Sequence, residues 1–223
     1  MNFGNIDNVV LFGGGTNLVG LASWCNERDM PVVAFTSPRH ADEAVSSDGR
    51  SLRDTLEADG VSVFSSEKIN EEPRLQEHVN ANTLGIALGP AWIYLNVVLN
   101  LFDGRIVNFH NIPLPRVRGG AHYTWQILRG NRTGGCNIQL IERKLDAGAV
   151  IKTLEYQLPP SARIPQDYFD ASRANDMPFL LEFMEEVQAG KDFDAVGLQE
   201  TLSTYFPRLS TPDQGFIDWS WST

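Results

Sequence analysis

Short apolar runs alternate with segments of helical period over roughly the first 130 positions of the chain. Val9–Phe12, Val32–Phe35, Val61–Phe64, Leu84–Leu88 and Ile106–Phe109 are apolar runs of strand length. Between them, Asn17–Arg28 sets Leu18, Leu21, Ala22 and Cys25 at helical spacing, and Ser51–Ala58 reads as a short helix with Ser51 as its N-cap. Ile93–Leu101, after Gly89-Pro90, reads as an apolar helix, and Tyr123–Arg129 as another. Cys136–Leu140 and Val150–Tyr156 are strand-like. Strands alternating with helices predict the α/β class: a Rossmann-like, mostly parallel sheet with helices on both faces. Ligands in such sheets sit in loops at the carboxyl ends of strands.

The pattern changes after Leu158. Pro159-Pro160 opens a polar stretch, Asp176–Ala189 and Ala195–Tyr205 read as helices, and Pro207–Trp219 is rich in Pro, Gly, Asp and aromatics. This predicts an α/β domain over 1–158 and a helical or irregular C-terminal extension over 159–223, packed on that core. Length and composition fit one soluble α/β domain with a short extension: 223 residues, 42% apolar and 21% charged. No apolar run approaches the ~20 residues that span a bilayer, and no basic region precedes the first apolar run, so a cytoplasmic protein without membrane contact is expected. The net charge of -10 opposes nucleic-acid binding. Cys25 and Cys136 lie too far apart for a C-x-x-C site, so no disulfide framework, no metal and two buried thiols are expected.

Three constellations could carry chemistry. Gly13-Gly14-Gly15-Thr16-Asn17 follows the first strand and could offer the N–H groups of the next helix to a phosphate, or be only a tight turn. It is neither G-x-G-x-x-G nor a Walker loop. Asn108 and His110 end the fifth strand on one side of it, two residues apart. An amide that steadies an oxyanion and an imidazole that handles a proton suit acyl transfer. Asp146, in Leu145-Asp146-Ala147-Gly148, either caps a turn or approaches His110; spacing alone does not choose.

Asn108-Phe109-His110, then Leu114-Pro115 and Gly119, then Asp146-Ala147-Gly148 some 35 residues on, resemble the formyltransferase family that uses 10-formyl-tetrahydrofolate. The resemblance covers roughly residues 8–156 and the tail. It implies direct transfer of the formyl group to an amine through a tetrahedral intermediate, with tetrahydrofolate as product and no metal. Asn108 and His110 would steady the oxyanion, and Asp146 would orient His110 and relay a proton. By the same resemblance the donor's pterin would lie against Trp92, Ile93 and Tyr94 and against Glu142, Arg143, Lys144 and Leu145.

Within the family, the chain resembles the sugar N-formyltransferases most: the segment from Phe35 to His40 with Asp42-Glu43 is similar to one in some of them, and the tail from Phe206 to Asp213 and Ile217 to Trp219 resembles that shared by the sugar and methionyl-tRNA enzymes and not by the purine enzymes. That implies a nucleotide-diphosphate-linked amino sugar as acceptor, of the kind used in lipopolysaccharide or O-antigen biosynthesis. Gly14, Thr16, Asn17, Arg116, Arg118, His122, Tyr123 and Trp125 are the candidate acceptor contacts. A homodimer, common among relatives, stays open. Gly13–Asn17 is also similar to the loop of the glycinamide ribonucleotide enzymes of purine synthesis, which leaves that acceptor as an alternative. A third reading is an inactive module that binds folate or nucleotide. A nicotinamide dehydrogenase is disfavoured, because Phe35-Thr36-Ser37 stands where an acidic residue should end strand two.

Overall fold

The computed structural model describes residues 1–119 and 122–207. The chain runs β1 (Asn8–Gly13), α1 (Thr16–Asn26), β2 (Val32–Thr36), α2 (Pro38–Ala41), α3 (Leu52–Ala58) and β3 (Ser62–Ser65). Two 3-10 turns, Ile69–Glu71 and Pro73–His78, lead to β4 (Thr83–Leu88), α4 (Asn96–Phe102), β5 (Ile106–His110), β6 (Val117–Gly119) and α5 (His122–Leu128). β7 (Thr133–Leu140), β8 (Val150–Gln157), α6 (Pro165–Gln188), a 3-10 turn at Glu200–Leu202 and β9 (Thr204–Phe206) complete the order.

Seven strands form one sheet in the order β3-β2-β1-β4-β5-β7-β8. The five from β3 to β5 are parallel, and β7 and β8 close one side antiparallel. The period-2 alternation of β1 shows why both faces are covered. Val9 and Leu11 join one core cluster with Leu18 and Leu21 of α1, Leu56 of α3 and Leu180 and Phe183 of α6. Val10 and Phe12 join a second cluster with Val98 and Phe102 of α4 and with Ile69 and Leu75.

Three expectations need correction. The helix expected over Ile93–Leu101 begins only at Asn96. Asn70 ties the preceding segment into a loop, its Oδ1 accepting from Leu95 N at 2.8 Å and its Nδ2 donating to the Ile93 carbonyl at 2.9 Å. The helix expected at Asp176 begins at Pro165, with proline at its N-terminal turn and Asp167 accepting from the Arg163 and Ile164 N–H groups. The helix expected over Ala195–Tyr205 does not form: Val196 exchanges backbone bonds with Val150, and β9 pairs with β6. Long-range pairing there outweighs local helical period. The segment from Arg208 onward, including Pro212 and Trp219, lies outside the described residues.

α6 belongs to the core rather than lying on it. Phe183 is fully buried and meets Phe3 and Phe193 edge-on or tilted, with centroids 5.9 and 5.6 Å away. Phe183→Ala is therefore expected to lower unfolding free energy by about 3–5 kcal/mol. Urea denaturation reads this, and a loss well below that range would show α6 to be peripheral.

Candidate active site

The strand order reverses at β1 and β4: β2 leaves β1 on one side and β4 flanks it on the other. The carboxyl ends of β1, β4 and β5 therefore open onto a common crevice, the usual ligand position in such a sheet. At the end of β1, Gly13 has φ 113, and a Cβ there would overlap the Leu88 carbonyl. Gly14 N donates to that carbonyl at 3.1 Å. The first requirement for glycine in this turn is thus close packing of β1 on β4.

The structure brings Asn108, His110 and Asp146 together. Asn108 Nδ2 lies 2.7 Å from His110 Nε2, and Asp146 Oδ1 lies 3.4 Å from the same nitrogen. One ring nitrogen serves one partner at a time: as a lone pair it accepts from the amide, and as N–H it donates to the carboxylate. Asn108 Oδ1 is buried without a partner among the described residues. The Asp146 carboxyl is held below its ordinary range, first by its hydrogen bond with His110 and further by the charges of His110 and Arg118, against a burial cost.

Asp146 reaches His110 because its loop is pinned. β7 and β8 form a hairpin whose connection, 141–149, leaves beside Ile106 at the start of β5 and folds back so that Asp146 reaches His110. Arg118 of β6 donates to the Asp146 carbonyl at 2.7 Å, and Gln139 donates to the Gly148 carbonyl at 2.8 Å. Asp146 itself takes φ 51, left-handed backbone that Asp tolerates better than most residues.

Two recesses meet at this triad. The smaller, about 420 Å³, is lined by Trp92, Ile93, Tyr94, Glu142, Lys144 and Leu145, all expected at the donor; Arg143 is not on its wall. Its apolar surface includes Ile93 and Leu145, which are 57% and 58% exposed, while the buried Tyr94 hydroxyl has no partner among the described residues. The larger, about 1130 Å³ counted to its open mouth, has Gly14, Thr16 and Asn17 on one wall and His110 on another. The larger recess is of the order that suits a small-molecule ligand, whereas the smaller is a shallow apolar surface.

The other expected acceptor contacts stand elsewhere. Arg116 pairs with Glu155, and Arg118 turns to Asp146. Tyr123 lies behind Asn111, which donates to its hydroxyl at 3.1 Å, and that hydroxyl donates to Ser172 at 2.7 Å. Trp125 stacks on Phe206 at 5.5 Å and donates to the Pro207 carbonyl. His122 starts α5, and its side chain lies outside the described residues. Phe169, Arg173 and Asp176 of α6 line the larger recess instead. Helical spacing back from Leu180 puts Asp176 on the buried face of α6, a signal already present in the expected helix, whereas Phe169 and Arg173 lie before its expected start.

The Gly13–Asn17 turn carries an occupant from its own chain. The Glu43 carboxylate accepts the Gly15 N–H at the start of α1 and lies against Gly14. It occupies the place a helix N-terminus offers to an anion. Among the described residues, no group of three or more His, Cys, Asp or Glu is placed to hold a metal ion, and no helix is long and apolar enough to cross a membrane. Cys25 and Cys136 are buried free thiols, and burial pushes Cys25 up to about 12.

Solved structures share this fold. The sugar 3N-formyl transferase WlaRD, solved with dTDP and 5-N-formyl-THF, superposes with a TM-score of 0.71 at 16% identity, covering 92% of this chain and 71% of its own. The N-formyltransferase of Helicobacter canadensis, in complex with folinic acid and dTDP-3-aminofucose, gives 0.70 at 17% identity over 91% and 71%. Glycinamide ribonucleotide transformylase 1 of Symbiobacterium toebii gives 0.67 at 17% over 86% and 95%. The methionyl-tRNA formyltransferase of Mycoplasma pneumoniae is 29% identical over 108 residues, 48% of this chain and 34% of that protein. The chain matches about a third to a half of the length of such curated relatives. The formyl transferase family model matches residues 7–165, so with Asn108, His110 and Asp146 gathered at the switch point of its sheet, this chain belongs to the formyl transferase family.

Proposed function

We propose that this chain transfers the formyl group of 10-formyltetrahydrofolate to the amine of a nucleotide-diphosphate-linked amino sugar. The observation that carries the chemistry is the convergence of Asn108 and Asp146 on His110 Nε2 between two recesses. The smaller recess offers a mostly apolar surface against which a flat heteroaromatic donor could lie, and the buried Asn108 oxygen and Tyr94 hydroxyl lack partners among the described residues. That donor, when bound, supplies an activated formyl carbon. Two solved structures of this fold contain a folate together with dTDP or a dTDP-sugar, which supports a nucleotide-linked acceptor in the larger recess. A homodimer and a cytoplasmic setting go with this reading, as does a place in surface-polysaccharide assembly.

In this reading the chain's own residues divide the work. The Asn108 amide leaves His110 and donates to the formyl oxygen as negative charge grows there, the kind of stabilisation that usually contributes most to acyl transfer. His110 adds a second donor or positive charge on the same side. Asp146, held ionised, fixes the imidazole and accepts the proton that the attacking nitrogen gives up. The nitrogen that departs gains one proton, so the reaction balances without a metal or a covalent enzyme adduct.

The alternative acceptor, glycinamide ribonucleotide, draws on the Gly13–Asn17 turn and on the likeness to the Symbiobacterium toebii enzyme. Against it, a phosphomonoester at the start of α1 would have to displace the Glu43 carboxylate. The methionyl-tRNA relatives make initiator tRNA the third acceptor to test, and the net charge of -10 opposes it.

The direct test is a panel of thymidine-, uridine- and guanosine-diphosphate amino sugars, glycinamide ribonucleotide and charged initiator tRNA, each with 10-formyltetrahydrofolate. Turnover is expected with an amino sugar and to fall ~100-fold or more in Asn108→Ala and His110→Ala. Efficient transfer to glycinamide ribonucleotide alone would overturn the acceptor while keeping the chemistry; turnover of nothing would favour a binding module. Millimolar inorganic phosphate is expected to leave turnover unchanged, because Glu43 holds the anion position; competitive inhibition by phosphate would show that the position is open. Asp146 gives a pH test. Its depressed pKa stabilises the fold above the ordinary carboxyl value of 3.8, and that contribution is lost as pH falls through the depressed value. Asp146→Asn should therefore unfold more readily than the wild type at neutral pH, with the gap closing in acid; an equal gap at both extremes would mean the charge is not the cause.

A further inference from the structure

Asp176 stands at the floor of the larger recess and is 1% exposed. Its hydrogen-bond partners are all neutral: Asn17 Nδ2 at 3.3 Å, Cys136 Sγ at 3.4 Å and the Asn111 amide. A cationic donor would approach a carboxylate more closely, at about 2.7–2.9 Å. No salt bridge reaches it among the described residues: Arg173, on the same helix, donates to Thr16 Oγ1 at 3.3 Å and lies over the Phe169 ring. Around it stand neutral groups from every neighbouring element, Asn17 of α1, Asn111 after β5, Tyr123 of α5, Cys136 of β7 and Tyr156 of β8. Burial raises its pKa, and the Asn17, Cys136 and Asn111 contacts and the Arg173 charge offset only part of that rise.

A carboxylate in such a place is costly to the fold unless something completes it. The recess it faces also contains His110 and Asn108. An amine acceptor reaches the site largely as an ammonium ion, a compact cation with three donors, and it must shed a proton before it attacks. We propose that Asp176 is the acceptor-recognition carboxylate of this site, receiving the ammonium group of the incoming amine at the floor of the larger recess. The proposal rests on formyl transfer to an amine and adds the group that selects that amine. A carboxylate with raised proton affinity is also suited to take the excess proton: the ammonium N–H bond breaks, the carboxyl O–H forms, and the amine is left neutral.

The test pairs Asp176→Asn, which keeps the shape and removes the charge, with two ligands: the amino-sugar nucleotide and its counterpart bearing a hydroxyl in place of the amine. KM for the amine acceptor is expected to rise about 10-fold or more, the scale of a charge-assisted hydrogen bond. Inhibition by the hydroxyl counterpart and KM for 10-formyltetrahydrofolate are expected to stay unchanged. The unfolding midpoint of Asp176→Asn should exceed the wild type's at neutral pH, because the raised carboxyl pKa means the ionised form destabilises the fold; the gap should close as pH falls toward the ordinary value of 3.8. Equal weakening of amine and hydroxyl ligands, a donor KM that rises with the acceptor KM, or a midpoint that drops at neutral pH would each overturn the proposal in favour of a structural carboxyl. If the wild type formylates glycinamide ribonucleotide instead, the acceptor assignment above fails, and the same comparison on that amine and its hydroxyl counterpart still decides Asp176. A wild type that formylates no amine overturns both.

Discussion

A single ring nitrogen, Nε2 of His110, lies within reach of an amide on its own strand and a carboxylate delivered from a distant loop. Each part of the fold can be read as what that meeting requires. β5 must lie inside the sheet, so that its end opens beside β1 and β4 rather than at an edge. β7 runs antiparallel to β5, so the connection leaves beside Ile106 at the start of β5 and must fold back along that strand for Asp146 to reach His110. Arg118 and Gln139 must hold backbone carbonyls of that connection, since Asp146 alone would not keep a left-handed conformation.

Much of this was legible in the chain. Parallel strands buried on both faces appear as short, unbroken apolar runs, so β1, β2, β4 and β5 could be read directly, though not their order in the sheet. Asn108 and His110 share a strand, where a spacing of two fixes a common side, so their pairing needed no tertiary knowledge. The approach of Asp146 did need it, because 36 positions separate it from His110, and the pairing of β7 on β5 together with the fold of the 141–149 connection closes that distance. The resemblance to the formyltransferases supplied that link in advance.

What stayed hidden has physical causes. Arg116, Arg118, Tyr123 and Trp125 follow β5 closely in sequence, but proximity along a chain does not fix where side chains point. Their partners, Glu155, the Asp146 carbonyl, Ser172 and Phe206, come from 28 to 81 positions away. The segment around Val196 has helical period but finds better hydrogen bonds on β8. Glu43, an ordinary surface acid by composition, becomes informative only when seen on the Gly15 N–H.

The two walls of the site differ in how they can move. α6 runs 24 residues, about 36 Å at 1.5 Å per residue, from Phe169 and Asp176 in the larger recess to Phe183 and Val187 in the main core. The buried amides of its core half should exchange with solvent only slowly, so this wall has little separate opening. The wall of the smaller recess is mostly loop, 88–95 and 141–149, tied down by a few side-chain bonds rather than by a helix. Any breathing of the crevice therefore falls on that side, and the order in which two ligands enter would be set by how fast these loops exchange and not by the helix that faces them.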